Sequence, residues 1–440
     1  MTFSFSLCLG QDWERKINKY TIEELYGSAP AENGDIISVG NGKDSNNGDE
    51  SSFLIVRTHA NGDTLWVKKI TGNSAYDVIR TLDGNFAFAG SYQNESVWGK
   101  FDQNGDILWT KKSGIQKRNG ASFIREDKEG NLYLGGNIYS EANSSMDLHL
   151  IKTNINGDTI WTRTTGTKEN EFAATMKKVS DGVVLAGYSI IAHYNAAGDL
   201  IFSKEHKLKD AYFSYIKGIE LTKDGNYMAA CSTFYLNKGI FLTLMKIDQN
   251  GDTLWTKTHQ DQILSTYSMT TAYDSNFVVI CSVNWGADQL NSMIKIDQNG
   301  DTLWTKIFYG SPRKISYADG YFIVSGSYSF GQPENITDMY LLKVKDDSDP
   351  QILNISTSTN ENERFQIYPN PSNGLMYIDS DLKLEESLIT ITNMHGIEVY
   401  QEQISLEKGI IEVPGLSNGT YQLQVKQGDN NYNRLIIIQK

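Results

Sequence analysis

Apolar positions along this chain come in short runs without a helical period. One unit of four such runs covers residues 76–81, 86–90, 97–102 and 107–112. Short apolar runs bounded by Gly, Asn and Asp are typical of β-strands joined by tight turns. The pattern therefore predicts an all-β protein built from four-stranded units.

Two landmarks recur in every unit. The first is a polar turn that leads to an aromatic residue, at residues 61–66, 104–109, 156–161, 197–202, 247–257 and 296–306. The second is a turn before an apolar strand that ends in small residues, at residues 33–35, 83–85, 129–131, 181–182, 224–226, 274–276 and 319–320. The landmarks repeat at roughly 40–53 residues, which matches one blade of a β-propeller. The recurrent Asn-Gly pairs predict hairpins in which both central residues have positive φ.

The two ends of the array predict how it closes. Residues 12–16 look like an outer tryptophan strand without its partner hairpin, and residues 315–345 form a unit without a tryptophan strand. An N-terminal strand that completes the last sheet would remove the open edge between the first and last blades. We expect a seven-bladed β-propeller over residues 11–345, with six or eight blades as alternatives. The repeated tryptophans are expected to pack between blades.

Composition excludes several classes of protein. The chain has 440 residues and a net charge of −13, which argues against a nucleic-acid partner. No apolar run approaches the roughly 18 residues of a membrane span, so no transmembrane segment is expected. Residues 1–10 resemble the remnant of a signal peptide cleaved after Gly10, although the basic region is missing, and a frayed N terminus is the alternative.

Two of the three cysteines are placed by the repeat. Cys231 and Cys281 occupy equivalent positions in neighbouring units. Equivalent positions in adjacent blades are too far apart for a disulfide, so we expect free, buried thiols.

A second module follows a polar linker over residues 346–364. Its six or seven short alternating strands predict a small Ig-like β-sandwich over residues 365–440. Four sequence blocks stand out in this module. Their marker residues are Tyr368, Pro369, Asn370, Pro371 and Gly374, then Gly396, then Gly419 and Tyr421, and finally Lys440.

These blocks, in this order, resemble the type A C-terminal sorting domain of the type IX secretion system of Bacteroidetes. The resemblance implies passage through the periplasm and across the outer membrane, with the type IX translocon and its sortase as partners. It also implies removal of the domain in the linker, followed by attachment to the cell surface or release. An ordinary adhesive Ig-like module is the alternative.

Aromatic residues recur where the small-residue strand of each unit ends. They are expected to start the loops around the channel mouth, where they could stack on sugars or grip a peptide. The alternative is that they cap the core. The candidate ligand-binding residues are Tyr92, Tyr139, Tyr188, Tyr235, Trp285 and Tyr328.

Asp-Thr-Leu or Asp-Thr-Ile recurs at the outer strand of four units. This tripeptide resembles the acceptor motif for O-glycosylation in Bacteroidetes, and a plain turn residue that enters a strand is the alternative. The candidate acceptors are Thr64, Thr159, Thr253 and Thr302.

Signals for a cofactor or a catalytic site are weak. The turn at residues 248–252 offers oxygen ligands, but it lacks the alternating carboxylates and distant Glu of a calcium loop. The unit is similar to the repeats of quinoprotein propellers and to the Asp-box of sialidases, and it matches neither in full. The histidines show no metal-ligand spacing. We expect no metal and no cofactor, with calcium as the alternative.

The sequence thus predicts an exported surface or extracellular protein whose propeller binds an unknown glycan or protein. One alternative is a propeller hydrolase or lyase that acts on extracellular polysaccharide, which two or more carboxylates in the channel mouth would indicate. A purely structural adhesion module is the other.

Overall fold

The structure is a computed structural model that describes most of the chain. The described residues are 11–20, 22–43, 52–70, 74–115, 119–285, 288–329, 337–348, 365–368, 372, 375–380, 387–393, 398–404, 410–413, 415–417, 419–427 and 430–438. The chain divides into two compact units, Met1–Leu353 and Asn354–Lys440. Among the described residues the single helical element is the 3₁₀ turn Glu32–Gly34, and none of them forms an apolar helix long enough to cross a membrane.

The first unit consists of short strands joined mostly by tight turns. The first nine are β1 (Gln11–Ile17), β2 (Ile22–Pro30), β3 (Ile36–Lys43), β4 (Ser52–Thr58), β5 (Thr64–Ile70), β6 (Ser74–Arg80), β7 (Phe86–Tyr92), β8 (Glu95–Phe101) and β9 (Ile107–Lys112). The next nine are β10 (Asn119–Glu126), β11 (Leu132–Ser140), β12 (Ser145–Thr153), β13 (Thr159–Thr165), β14 (Ala173–Val179), β15 (Gly182–Gly187), β16 (Ile190–Asn195), β17 (Leu200–Glu205) and β18 (Phe213–Leu221). The last nine are β19 (Tyr227–Tyr235), β20 (Gly239–Ile247), β21 (Thr253–Thr271), β22 (Phe277–Trp285), β23 (Asp288–Ile296), β24 (Thr302–Phe308), β25 (Ser311–Ala318), β26 (Tyr321–Ser329) and β27 (Thr337–Lys345).

These strands form repeated four-stranded antiparallel groups, which is consistent with a β-propeller. Typical groups run β6-β7-β8-β9, β10-β11-β12-β13 and β14-β15-β16-β17. The long strand β21 ends one group and begins the next, because its first part pairs with β20 and its second part with β22. The N-terminal strand β1 pairs antiparallel with β27, as the sequence predicted, and so adds a fourth strand to β25-β26-β27.

Burial explains why inner and outer strands differ in sequence. The second strand of a group is almost wholly buried, as in β7, whose first five residues are all buried. The outer strand β9 instead alternates between half-buried and exposed residues. A continuous apolar run therefore marks a strand covered on both faces, and an alternating run marks the rim.

Most Asn-Gly turns differ from the sequence prediction in their backbone, although Asn33 and Gly34 both have positive φ, at +60° and +75°. In the turn after β8 only Gly105 has positive φ, at +77°, whereas Asn104 does not. Gly105 N donates to Asp102 O at 3.0 Å, and Asp102 Oδ1 accepts the N–H groups of Asn104 and Asp106 at 2.9 Å each. The expectation of two positive φ values was wrong for the Asn-Gly turns that follow third strands, because these loops are longer than a two-residue hairpin. They combine a four-residue turn with a left-handed glycine.

Six of the seven outer-strand aromatic residues pack against the glycine in the turn of the next group. A Cβ built on Gly105 would lie 2.6 Å from the ring of Trp66, and one on Gly157 would lie 2.5 Å from the ring of Trp109. The same contact recurs in the pairs Trp13–Gly62, Trp161–Gly198, Phe202–Gly251 and Trp255–Gly300. The repeated aromatic residues therefore pack between groups, as predicted.

A basic residue two positions after the aromatic one adds an ion pair to the same contact. Lys68 Nζ lies 2.5 Å from Asp106 Oδ1, and Lys111 Nζ lies 2.9 Å from Asp158 Oδ1. After the last tryptophan strand Lys306 pairs with Asp347 at 3.4 Å, so Asp347 takes the place of a turn aspartate. Its neighbour Asp346, which the sequence assigned to the linker, is buried and accepts the N–H of Tyr273 at 3.0 Å.

The two thiols are free and buried, as predicted. Burial raises the pKa of Cys231 and of Cys281 to about 12. Both side chains lie in clusters of apolar residues between neighbouring groups, so they act as small apolar groups.

The second unit has two small sheets around one core. Its strands are β28 (Phe365–Tyr368), β29 (Leu375–Ser380), β30 (Ser387–Asn393), β31 (Glu398–Ile404), β32 (Ile410–Glu412), β33 (Gly419–Gln427) and β34 (Asn430–Ile438). The sheets run β28-β29-β32 and β31-β30-β33-β34. Met376 from the first sheet and Ile389, Leu423 and Ile436 from the second are fully buried in a shared cluster.

Alanine substitutions at two turn glycines distinguish the stability lost through backbone strain from that lost through displacement of an aromatic ring. Gly84 and Gly105 both have positive φ, but a Cβ on Gly84 meets nothing within 4 Å. We expect Gly84→Ala to destabilise the protein by about 1–2 kcal/mol through backbone strain. Gly105→Ala should cost roughly 2 kcal/mol more, since Trp66 must also move. Urea unfolding of the two variants measures the difference, and equal losses would contradict the proposed packing.

Candidate functional site

A central cavity of about 580 Å³ lies where the first strands of the groups converge. Residues from β2, β6, β10, β14, β18, β21 and β25 line it. The repeat pattern predicts that the first strands line a central channel, but it singles out none of their residues as candidates, because the first strands share little sequence beyond their apolar character.

Every first strand carries a register shift against its neighbour near its N-terminal end. The shifts lie at Leu25/Gly27, Ala75/Asp77, Ala121/Phe123, Ala173/Thr175, Ile216/Gly218, Thr266/Ser268 and Pro312/Lys314. A β-bulge inserts one extra residue and re-aims the side chains next to it. As a result Tyr76 and Asp77, which are consecutive in sequence, both line the cavity.

Asp77 is the most constrained charge on this wall. Its carboxylate is fully buried and pairs with Lys314 Nζ and with Arg125 Nη1, the latter at 2.8 Å. It also accepts the N–H groups of Val78 at 2.9 Å and Ile124 at 3.2 Å. Burial opposes its ionisation, but the charges of Lys314 and Arg125 outweigh burial and hold the pKa of Asp77 below its usual range.

A glycine makes room for this pair. Lys314 lies in β25 and Asp77 in β6, and β2 lies beside both strands. At the corresponding position β2 has Gly27, and a Cβ there would lie only 3.3 Å from Asp77 Oδ1 and 3.1 Å from Asp77 Cα. Gly27 therefore leaves the space in which the two charges meet.

Two further ion pairs connect neighbouring first strands. Arg313 Nε donates to Glu24 across β25 and β2. Lys177 pairs with Glu220 across β14 and β18, and Glu220 also accepts the hydroxyl of Thr271 at 2.8 Å. Both carboxylates that line the cavity, Asp77 and Glu220, are thus held by cations of the wall.

The six candidate aromatic residues lie at or just beyond the ends of second strands. Lys112 Nζ lies 4.2 Å above the ring of Tyr92, and Lys16 Nζ lies 3.3 Å above that of Tyr328. Tyr235 meets Phe241 edge to face at 6.1 Å. Tyr139 is 37% exposed, and Trp285 ends β22 with a side chain outside the described residues.

Tyr188 is the candidate aromatic residue with the most defined surroundings. It lines a side pocket of about 410 Å³, whereas the described lining of the central cavity includes none of the six. Its ring stacks on Tyr215 at 4.1 Å, and Tyr215 stacks on Phe213 at 4.5 Å. Its φ of +46° is a strained conformation for tyrosine, which this packing holds in place.

A rim pocket of about 510 Å³ connects these features. It shares Tyr76 and Ser122 with the central cavity, and it includes Phe172, whose ring contacts Tyr188 at 5.3 Å. Asn94, Asn119 and Asn137 make this pocket polar. The rim pocket therefore borders the central cavity, and the contact between Phe172 and Tyr188 lies between the rim pocket and the side pocket.

The candidate glycosylation sites share one position. Thr64, Thr159, Thr253 and Thr302 each begin an outer strand and are exposed. The hydroxyl of Thr253 is hydrogen-bonded to His206 Nδ1 at 3.0 Å.

The turn at residues 248–252, the alternative calcium site, uses the carboxylate of Asp248 for hydrogen bonds within the turn. Asp248 Oδ1 accepts the N–H groups of Asn250 at 2.9 Å and Asp252 at 2.7 Å within its own turn. Within the described ranges, no group of three or more His, Cys, Asp or Glu side chains is arranged to hold a metal.

Removal of the Asp77 charge tests the constraint on the wall. Asp77→Asn leaves Lys314 and Arg125 without their shared carboxylate, and we expect a loss of about 3 kcal/mol. Asp106→Asn, which breaks the exposed pair with Lys68, should cost at most about 1 kcal/mol. Thermal unfolding of both variants measures this contrast, and a small loss for Asp77→Asn would contradict it.

The pH dependence has a defined sign. The pKa of Asp77 is lower in the folded protein than its unfolded value near 3.9, so its contribution is present above about pH 4. That contribution disappears as the pH falls through the folded pKa. The stability gap between wild type and Asp77→Asn should therefore narrow in acid.

The second unit contains the sorting blocks. Tyr421 is buried and donates its hydroxyl to Ser417 O at 2.9 Å, and Tyr368 and Gly419 lie in β28 and β33. The other marker residues, Pro369, Asn370, Pro371, Gly374, Gly396 and Lys440, lie outside the described residues.

Comparison with solved structures finds loosely similar folds. BamB from Moraxella catarrhalis is 12% identical, with 72% of this chain and 82% of that chain covered and a TM-score of 0.41. PorZ, a surface component of the type IX secretion system of Porphyromonas gingivalis, is 12% identical, with coverages of 95% and 59% and a TM-score of 0.39. A protein of unknown function from Dyadobacter fermentans is 8% identical, with coverages of 76% and 99% and a TM-score of 0.44. No activity is taken from these likenesses.

Comparison with protein families gives a firmer result for the C-terminal unit. No curated protein matches the chain. Residues 366–439 match the family described as the secretion system C-terminal sorting domain. This unit is therefore a type IX secretion C-terminal sorting domain, and the chain is exported to the cell surface or the extracellular space.

Proposed function

We propose that this protein is a seven-bladed β-propeller that works outside the cell as a non-enzymatic binding module, delivered there by its sorting domain. The blade count is supported by the bulge that recurs in seven first strands around one cavity. The strands β25, β26, β27 and β1 make up the last blade. Residues 1–10 are the remnant of the signal peptide in this proposal, and the second unit is an Ig-like sandwich.

The three neighbouring pockets carry the proposed binding function. The loops between second and third strands and those between blades lie at one end of the antiparallel sheets, and the Asp-Gly and Asn-Gly turns lie at the other. Phe172 and Tyr212, which are 39% and 69% exposed, lie at this loop end beside Tyr188. Exposed aromatic rings beside polar groups are typical of ligand-binding surfaces.

A binding role is favoured over a hydrolase or lyase by the carboxylates of the cavity. A general acid must carry a proton near neutral pH. The pKa of Asp77 is held low by two cations, and Glu220 is paired with Lys177. Asp77 is therefore held ionised, and Glu220 is occupied by Lys177 and by the hydroxyl of Thr271. Neither carboxylate is left free to contact a substrate as a general acid.

A pair of tyrosines tests the binding face. Tyr212 lies at the loop end, whereas Tyr273 lies in the turn after β21 at the opposite end and is 49% exposed. We expect Tyr212→Ser to weaken binding to a glycan or protein ligand on an array by roughly tenfold, since an aromatic contact is lost. Tyr273→Ser should bind like wild type. Equal binding by all three proteins would overturn the assignment of the face.

Deletion of the sorting domain tests the export route and its processing. Without residues 366–439 the chain should stay in the periplasm of a type IX-competent host, whereas Tyr273→Ser should be exported normally. Intact mass of the exported wild type should show cleavage within residues 346–364 by the sortase and added hexose at Thr64, Thr159, Thr253 or Thr302. A mass equal to that of the unmodified processed chain would remove the glycosylation proposal, and export of the truncated chain would remove the sorting role.

A further inference from the structure

The extra residues of the bulges form a chemically distinctive arc on the cavity wall. In four consecutive blades these residues are Tyr267, Arg313, Tyr26 and Tyr76, and all four line the cavity. Tyr26 and Tyr76 meet edge to face at 5.3 Å. Arg313 lies on β25, between β21, which carries Tyr267, and β2, which carries Tyr26. The arc thus places one guanidinium among three aromatic rings.

The cavity wall is basic although the chain is acidic. Five cationic side chains line the cavity, against two carboxylates, in a chain with a net charge of −13. The cations are Arg80, Arg125, Lys177, Arg313 and Lys314, and the carboxylates are Asp77 and Glu220. This reversal of sign favours a negatively charged ligand.

The hydrogen-bonding capacity of the wall points in the same direction. Asp77 already accepts four donors, and Glu220 accepts two. Arg313 uses Nε for Glu24, and Arg125 uses Nη1 for Asp77 and for its neighbouring carbonyl. A guanidinium has five N–H donors, of which Nε carries one. Within the described part of the chain, the hydrogen bond of Arg313 is made by Nε, and its Nη groups have no protein acceptor. The wall therefore offers donors and few acceptors.

From this arrangement we propose that the arc formed by Tyr267, Arg313, Tyr26 and Tyr76 binds a sugar that carries a carboxylate or sulfate group. The inference deepens the proposed binding function and rests on it. The planar fork of Arg313 suits a carboxylate or sulfate, and tyrosine rings suit the apolar face of a sugar. The cavity volume lies within the range of ordinary small-ligand sites.

The test uses the purified full chain and isothermal titration calorimetry. The probes are a trimer of galacturonic acid, a sulfated chondroitin disaccharide, an uncharged galactose trimer and sodium sulfate. At least one charged sugar should bind, and the uncharged trimer and free sulfate should bind at least tenfold more weakly. Binding of the charged sugar should weaken as NaCl is raised from 50 to 500 mM.

Arg313→Gln is the informative variant and Arg163→Gln its control. Arg163 lies on the outer strand β13, where its Nε donates to Gly198 O at 2.6 Å. Arg313→Gln should lower the affinity for the charged sugar about tenfold, because a charge-assisted hydrogen bond is lost. Arg163→Gln should leave its affinity unchanged. Tyr267→Leu, which keeps every charge, should also weaken binding of the charged sugar. This variant tests the proposal if Arg313→Gln does not fold.

Each other outcome overturns a defined part of the proposal. Equal affinity for the charged and uncharged trimers would remove the requirement for a negative charge. Free sulfate that binds as tightly as the sugars would show an anion site without sugar recognition. Wild-type affinity of both Arg313→Gln and Tyr267→Leu would place the ligand elsewhere. If no charged sugar binds while an array ligand still depends on Tyr212, this inference fails and the proposed binding function stands.

Discussion

The antiparallel pairing of β1 with β27 joins the two ends of the repeat domain, and the burial of its sheets depends on that closure. The inner strands are apolar on both faces, so every four-stranded group needs a neighbour on each side. An open array would leave its first and last groups half uncovered. Trp13 of β1 donates Nε1 to Ala60 O at 2.7 Å and packs against Gly62. The closing strand therefore repeats the contact that the outer-strand aromatic residues from Trp66 to Trp255 make with the next turn.

Closure also brings charged side chains together in a cavity, where each needs a partner of opposite charge. The first strands from all groups meet around one cavity, where charged side chains lose part of their contact with water. A buried charge without a partner is costly, whereas a buried pair contributes little net stability by itself. The pairs Asp77–Arg125 and Lys177–Glu220 satisfy this condition across neighbouring groups. The pair Asp77–Lys314 does so across the intervening strand β2. Their main effect is to fix which side chains face one another on the wall.

The sequence predicted the features that depend on local chemistry and repetition. Four-stranded groups, the closing strand, the packing of Trp66 and its equivalents, the buried thiols and the sorting domain all follow from short motifs. The prediction of a positive φ at Asn104 was wrong, because Asn-Gly occurs in more than one kind of hairpin loop. Asp346 lies in a polar stretch and was assigned to the linker, but tertiary contacts bury it.

The candidate site was harder to predict because its contacts are distant in sequence. Asp77 and Lys314 are separated by 237 positions, and no motif joins them. The bulges themselves leave no sequence signal, since the residues after them are Gly27, Asp77, Phe123, Thr175, Gly218, Ser268 and Lys314. That variation is nevertheless informative, because the surrounding framework repeats closely.

The positions that repeat between units differ from the positions that line the cavity. Positions that repeat, such as the turn glycines and the outer-strand aromatic residues, hold identical units together. A ligand without matching rotational symmetry cannot be recognised by identical side chains, so specificity must come from positions at which the units differ. The cavity-lining positions of the first strands are such positions, and they combine Tyr26, Tyr76, Tyr267 and Arg313 on one side of the wall. If the protein binds a ligand as proposed, the departures from the repeat on these first strands are therefore the positions that determine its specificity.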